Sequence, residues 1–159
     1  MMTALVAAFA GMFGIAIGRF WDTRAESARW RRDQRATSYL RIAEAYWEIL
    51  RELDAIAGTQ NTQGLGEPRN WALLSPNGMA ALDRWNSALM SVLVYGSPRV
   101  AGAAKNVDDC VDECGMKASS AQHDWESWAT ETSPLKKSFQ DLLAAIRGDL
   151  KLQSHSLSF

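Results

Sequence analysis

The sequence has little cysteine, histidine or proline: two, two and four residues respectively in a chain of 159. Two cysteines cannot build the disulfide framework of a small secreted domain, and they fit a reducing compartment. The two histidines, His123 and His155, allow no arrangement of the Ser-His-Asp type to be argued. The chain also lacks a GxxxxGK phosphate loop and a GxGxxG motif. No enzyme activity, cofactor or small-molecule substrate is therefore predicted.

Charge is absent from residues 1–18, although the whole chain is nearly neutral, with 17 basic and 18 acidic side chains. This balance gives no reason to expect a nucleic-acid partner. Residues 19–35 then contain six arginines: Arg19, Arg24, Arg29, Arg31, Arg32 and Arg35. The positive charge thus lies directly beside the apolar run.

Residues 1–21 are predicted to form a transmembrane anchor. A helix over residues 3–20 is about 27 Å long, close to the roughly 30 Å of a bilayer's hydrocarbon core. Arg19 and Arg24 can reach lipid phosphates, and Phe20 and Trp21 suit the interfacial layer. A signal peptide is disfavoured because nothing basic precedes the run. A buried core or oligomer helix is the alternative.

The arginines that follow the span also predict its orientation. Because basic residues stay on the cytoplasmic side, the N-terminus is expected outside and the bulk of the chain inside the plasma (inner) membrane, in a single pass. Residues 22–35 are predicted to be a basic juxtamembrane helical stalk, solvated or close to anionic headgroups. The lipid bilayer is thus the first expected partner.

Small residues recur every four positions in the predicted span, at Ala10, Gly14 and Gly18. Such a stripe lets two helices approach closely in lipid, which favours self-association. Membrane helices are rich in Gly and Ala in any case. Self-association and simple insertion both remain open.

Apolar spacing predicts that residues 36–159 form a helical bundle. Steps of three and four between apolar residues indicate helices over 36–57, 77–95, 98–130 and 134–152, with Gly115 as a candidate break. Ser-Pro pairs precede the last three, and each Ser is expected to act as an N-cap. No useful period-two stretch occurs, so the fold class is all-α: a transmembrane helix continuing into an antiparallel four-helix bundle.

The segment 58–75 is predicted to be the one long connection. Its first part is polar and glycine-rich, and Trp71, Leu73 and Leu74 are expected to fold back onto the core. A loop of this length is often functional. A plain crossover connection is the favoured alternative.

Three stretches of the chain resemble a group of uncharacterised actinobacterial membrane proteins: ARWRRDQRATSYLRIAEAYWEILRELD, VLVYGSPRVAGAA and LLAAIRGDL. Proteins of that group have an N-terminal membrane helix, a WRR-x-QR juxtamembrane stretch, a YGSP-x-V helix junction and an R-x-DL C-terminal helix. The similarity touches most of the chain, but through short pieces. It implies a single-pass anchor with an antiparallel helical bundle on the cytoplasmic side, and no established activity.

The motif DDCVDEC contains the chain's metal candidates, Cys110 and Cys114, to which His123 is the plausible addition. Zinc requires four ligands in tetrahedral array, and the sequence does not bring a complete set together. The neighbouring carboxylates raise a thiol pKa and so oppose a reactive thiolate. Structural cysteines beside a solvated acidic face are the favoured interpretation, and no metal is assigned.

The first bundle helix has a row of acids at Glu44, Glu48 and Glu52. Di-metal carboxylate bundles also require Glu-x-x-His pairs, and these are missing. Arg41 and Arg51 lie at pairing distance along the helix, so a solvated ion-pair face is predicted.

Three functions follow from these observations. The first is a membrane-anchored interaction or scaffold protein that presents a cytoplasmic bundle to an unknown protein partner without catalysing a reaction. The second is a membrane effector, of a phage-exclusion or toxin-like kind, that acts through oligomerised spans; an uncharged span has no polar pore lining, which ranks it lower. The third is a metal- or thiol-dependent sensor that uses the Cys110/Cys114 cluster.

Overall fold

A computed structural model describes residues 2–58 and 70–152, with side chains for residues 26, 29–58 and 70–152. Throughout this part the chain is helical and has no strand, which confirms the all-α fold class. The elements are α1 (Met2–Ala57), a 3-10 turn (Asn70–Leu74), α2 (Gly78–Tyr95), α3 (Pro98–Ser120), α4 (Trp125–Glu131) and α5 (Ser133–Asp149). The chain divides into two compact units, Met1–Arg35 and Ala36–Phe159.

The first unit contains the predicted span. Within the residues whose side chains the structure describes, no helix is both long enough and apolar enough to cross a membrane. The side chains predicted to mediate helix association and to lie at the membrane interface are not among those described: Ala10, Gly14, Gly18, Arg19, Phe20, Trp21 and Arg24. In the basic stretch, Arg29, Arg31 and Arg32 are exposed and Arg35 is half-buried.

In the second unit, α1 runs antiparallel to α5. Tyr39, near the start of this unit, donates a hydrogen bond of 2.7 Å to Asp149 at the end of α5. Two turns further along α1, Tyr46 stacks on Phe139 near the start of α5, with ring centroids 3.6 Å apart. A later position on α1 thus contacts an earlier position on α5, so the two helices run in opposite directions.

The neighbouring helices alternate in direction in the same way. The Tyr39 hydroxyl accepts a hydrogen bond of 3.1 Å from the backbone of Ser97, which follows α2, and Glu48 pairs with Arg84 near the middle of α2. A turn of two residues then reverses the chain into α3. Four long helices therefore form the bundle, and α4 is a short addition between α3 and α5.

The core is built from the faces that the apolar spacing predicts. On α1 the residues spaced by three and four are all buried: Tyr39, Ile42, Tyr46, Ile49, Leu53 and Ile56. Trp71 and Trp85 are the largest fully buried side chains. Because these residues all lie within Ala36–Phe159, this unit contains its own hydrophobic core.

The third predicted helix, 98–130, is divided at a different place from the one expected. It runs unbroken through Gly115 and ends at Ser120, and the new helix α4 starts after Asp124, which accepts a hydrogen bond of 2.8 Å from the Ser127 backbone. Gly115 has another role: a Cβ atom there would lie 2.1 Å from Cδ1 of Trp71. The glycine makes room for a buried ring and does not break the helix.

The Ser-Pro pairs lie near helix starts, but of their three serines only Ser75 accepts a backbone N–H in the described residues, that of Asn77 at 3.4 Å. Ser97 holds the N-cap position of α3 without a side-chain cap bond, and Ser75 directs its hydroxyl to Glu52 of α1. Helix α5 takes Thr132 as its N-cap residue and includes Ser133. Pro98 and Pro134 lie in the first turns of α3 and α5, where proline's fixed φ angle suits the helix, whereas Pro76 precedes Asn77, the N-cap residue of α2.

The connection 58–75 is described only at its ends. Residues 59–69 lie outside the described part of the chain. At the far end Trp71 is buried and Leu74 packs against the core, as predicted, whereas Leu73 is exposed.

Candidate partner-binding groove

The outer flank of α1 contains large apolar residues that the bundle does not cover. Ile42, Tyr46 and Ile49 face the core. Leu40 and Trp47 lie on a neighbouring face of the helix and point away from the core. Trp47 is 62% exposed and Leu40 is 61% exposed. Single exposed apolar residues need no explanation, whereas an exposed apolar residue beside a groove marks a candidate binding surface.

Helix α5 forms the second wall beside this stripe. Its residues Lys136, Gln140 and Leu143 recur at helical spacing on one face, next to the buried ring of Phe139. The two walls enclose a groove of about 330 Å³. The groove is lined by Tyr46, Trp47, Leu50, Lys136, Phe139, Gln140 and Leu143.

Aromatic contacts fix the floor of the groove. Tyr46 and Phe139 stack almost in parallel, and the Trp47 ring meets Phe139 edge-on, with centroids 6.0 Å apart at 78°. Trp47 also contacts Tyr46 in a T-shaped arrangement, at 5.3 Å. Such pairs add roughly 0.5–1.5 kcal/mol beyond the burial of their area. The exposed indole is therefore held in place before any ligand arrives.

The charge at the groove is positive. Among the described residues that line it, Lys136 alone is charged. Arg147 lies further along the same face of α5 and is exposed, and the first turn of α5 has no acidic residue. Because the N-terminus of a helix is itself partially positive, this end of the groove favours an anionic group.

A second, polar groove lies between α1 and α2, on the other flank of α1. Its lining includes Arg41, Glu44, Glu48 and Arg84, around a volume of about 260 Å³. Glu48 pairs with Arg84, so basic and acidic groups already neutralise each other. A surface on which the charges compensate each other offers no clear basis for ligand selection.

The acidic row on α1 matches the prediction of a solvated face only at Glu44, which is exposed. Glu52 is buried, accepts a hydrogen bond from the Ser75 hydroxyl and lies 3.7 Å from Arg51. The partner of Glu48 is on α2 and not on α1. These acids join α1 to its neighbours in the bundle.

The weak metal candidates are engaged in other contacts. Cys114 is 3% exposed, and its Sγ lies 3.8 Å from the carbonyl oxygen of Glu131. Burial, followed by the nearby Cys110, raises the pKa of the Cys114 thiol to about 11. Cys110 is half-buried, and Nε2 of His123 lies 3.0 Å from the Lys117 carbonyl oxygen. Within residues whose side chains are described, no group of three or more His, Cys, Asp or Glu residues could hold a metal ion.

Two carboxylates support buried indoles. Asp108 belongs to the DDCVDEC face that was expected to be solvated, but it is buried and accepts a hydrogen bond of 2.8 Å from Nε1 of Trp85. Asp54, which the sequence pattern did not single out, accepts one of 2.7 Å from Nε1 of Trp128. The exposure of Trp47 was also missed, because the apolar spacing over residues 36–57 does not say which apolar side chains a neighbouring helix covers. A visible signal was Lys136 and Gln140 on the α5 face beside it, since polar residues there leave that flank open.

The chain matches no protein-family model, no curated protein and no solved structure.

Proposed function

We propose that this protein is a membrane-anchored helical interaction module, which presents the groove between α1 and α5 to a protein partner and catalyses no reaction. The observation that carries the proposal is Trp47, an indole that is 62% exposed yet held by Tyr46 and Phe139. Tryptophan is enriched among the few residues that dominate binding energy at protein interfaces. Holding the ring in advance lowers the entropy cost of binding.

The shape of the groove supports a protein ligand over a small molecule. Its two walls are stretches of the antiparallel helices α1 and α5, and the Trp47 side chain is exposed to solvent. Small-molecule pockets usually bury most of their ligand and surround it with several polar groups. An open apolar groove between two helices is typical of sites that bind a helix of a partner protein.

The anchor is supported by the sequence. Residues 1–18 are uncharged and are followed at once by the arginine-rich stretch, which is the arrangement expected of a span with its basic end in the cytoplasm. On this proposal the N-terminus is outside the plasma membrane and the bundle is inside. The Ala10, Gly14 and Gly18 stripe then provides a surface for self-association of spans. The resemblance to actinobacterial single-pass proteins agrees with this arrangement.

Site-specific photo-crosslinking in cells tests the groove as the binding surface. A benzophenone amino acid is placed at Gln140, which lines the groove, and separately at Lys137, which is exposed on the same helix outside the lining. We expect a protein adduct in the membrane fraction from position 140 and none from position 137. Equal adducts at both positions, or none at either, would reject the groove as a partner site.

A tryptophan pair provides the matched control. Trp47→Ala should remove the adduct at position 140, whereas Trp125→Ala should leave it, because Trp125 is 77% exposed but lies outside the groove lining.

A further inference from the structure

We infer that the groove between α1 and α5 binds an amphipathic helix whose flanks are acidic. This inference rests on the proposed function and names the class of partner. It is carried by the spacing of the apolar residues on α1 and by the sign of the charge beside them.

The spacing on α1 matches the anchor pattern of an amphipathic helix. Leu40, Ala43, Trp47 and Leu50 follow one another at steps of three and four along α1, and Trp47 and Leu50 line the groove. Two turns separate Leu40 from Trp47, a distance of about 10.5 Å along the helix. A partner helix with apolar residues at i, i+3, i+4 and i+7 presents contacts at the same interval.

The charge at the groove favours an acidic partner. Lys136 lines the groove, and Arg147 is exposed on the same α5 face three turns away. On the α1 side Arg51 is exposed, one turn beyond Trp47, but its Nε lies 3.7 Å from Glu52, which offsets its charge. Carboxylates on the flanks of a docked helix would meet Lys136 and Arg147, and lysines would be repelled by them.

The acidic residues nearest to the groove do not cancel this charge. Glu44 lines the polar groove on the other flank of α1. Asp54, near the end of α1, accepts the indole hydrogen bond of Trp128. Asp141 of α5 does not line the groove. Among the described residues that line the groove, Lys136 is therefore the one charged side chain, and no carboxylate is present to offset it.

A pair of designed peptides tests the inference on the full chain, held in nanodiscs of phosphatidylcholine. Both peptides are amphipathic helices with leucine at i, i+3, i+4 and i+7; one has glutamate at the flanking positions and the other has lysine. Fluorescence anisotropy of the labelled peptides measures Kd, and empty nanodiscs give the background. We expect the glutamate peptide to bind at least about tenfold more tightly, as charge complementarity predicts.

Two charge-reversal variants on adjacent residues identify the source of this preference. Lys136→Glu should abolish the preference for the glutamate peptide, whereas Lys137→Glu should change both Kd values less than about twofold, because position 137 is outside the groove lining. Both residues are exposed, so neither change should disturb the fold, and a thermal melt by circular dichroism checks this.

Failure of the inference differs from failure of the proposed function. Equal affinity for the two peptides, no binding of either, or equal effects of the two variants would overturn the acidic-helix inference. If the crosslink at position 140 were still formed in cells, the groove would remain a partner site of other chemistry. Loss of that crosslink would instead reject the proposed function itself.

Discussion

The indole N–H of Trp85 on α2 donates a hydrogen bond of 2.8 Å to Oδ1 of Asp108 on α3, and both side chains are buried. Lys105, one turn away, places its ammonium 3.6 Å from the other carboxylate oxygen. A buried carboxylate is tolerated only where such partners compensate its lost hydration. The contact therefore fixes the position of α2 against α3 as well as satisfying a polar atom.

Asp108→Ala should lower the free energy of unfolding by roughly 2–4 kcal/mol, because it leaves the Trp85 N–H buried without an acceptor and opens a small cavity. Asp108→Asn retains an acceptor oxygen and should cost only about 1 kcal/mol. Urea unfolding followed by circular dichroism measures both. Equal losses for the two variants would show that the hydrogen bond does not stabilise the fold.

Gly115→Ala should destabilise the bundle, since a Cβ atom at this position would meet the Trp71 ring at 2.1 Å. Overpacking of this kind typically costs about 1–3 kcal/mol. Gly102→Ala on the same helix is the control, because no atom lies within 4 Å of its added Cβ, and we expect it to stabilise by about 0.5–1 kcal/mol. A Gly115→Ala variant as stable as Gly102→Ala would contradict the packing described.

Stability should fall as the pH rises from 9 to 11. Burial raises the pKa of Cys114 from its ordinary value of 9.0 to about 11, so the folded chain keeps a proton that the unfolded chain loses. The unfolded state then binds fewer protons, and the free energy of unfolding decreases with pH across this window. Well below pH 9 the thiol is protonated in both states, and its contribution to the free energy of unfolding is constant.

The variant Cys114→Ala should reduce the slope of unfolding free energy against pH between 9 and 11. Burial also raises the pKa of Tyr46 to about 12. Tyr46 therefore lowers the free energy of unfolding further above pH 10, in the variant as well as in the original chain. An unchanged slope in the variant would remove Cys114 as the source of the effect.

The buried face of α1 follows from the sequence because helical periodicity alone places Ile42, Tyr46 and Ile49 on one side. The role of Gly115 does not follow, because a glycine within a helix is locally a break signal and its reason is Trp71, which is distant along the chain. The pairing of Glu48 with Arg84 is likewise an interhelical contact, whereas sequence spacing reveals only partners on the same helix.

The candidate groove could be predicted only in part. The sequence marks Trp47 and Leu50 as apolar and places them at helical spacing. Whether Trp47 is covered depends on which helix lies beside that flank of α1 and on how far its side chains reach. The antiparallel placement of α5 brings Lys136 and Gln140 there, and these leave the indole exposed.

Anchoring by residues 1–21 is tested most directly by fractionating cells that express either the full chain or a version beginning at Thr23, with protease added to intact spheroplasts. We expect the full chain to stay with membranes after carbonate washing, to be protected from protease until lysis, and the shortened chain to be soluble. A full chain that is released from membranes would contradict the anchor, and the apolar segment would then be a core or oligomer helix.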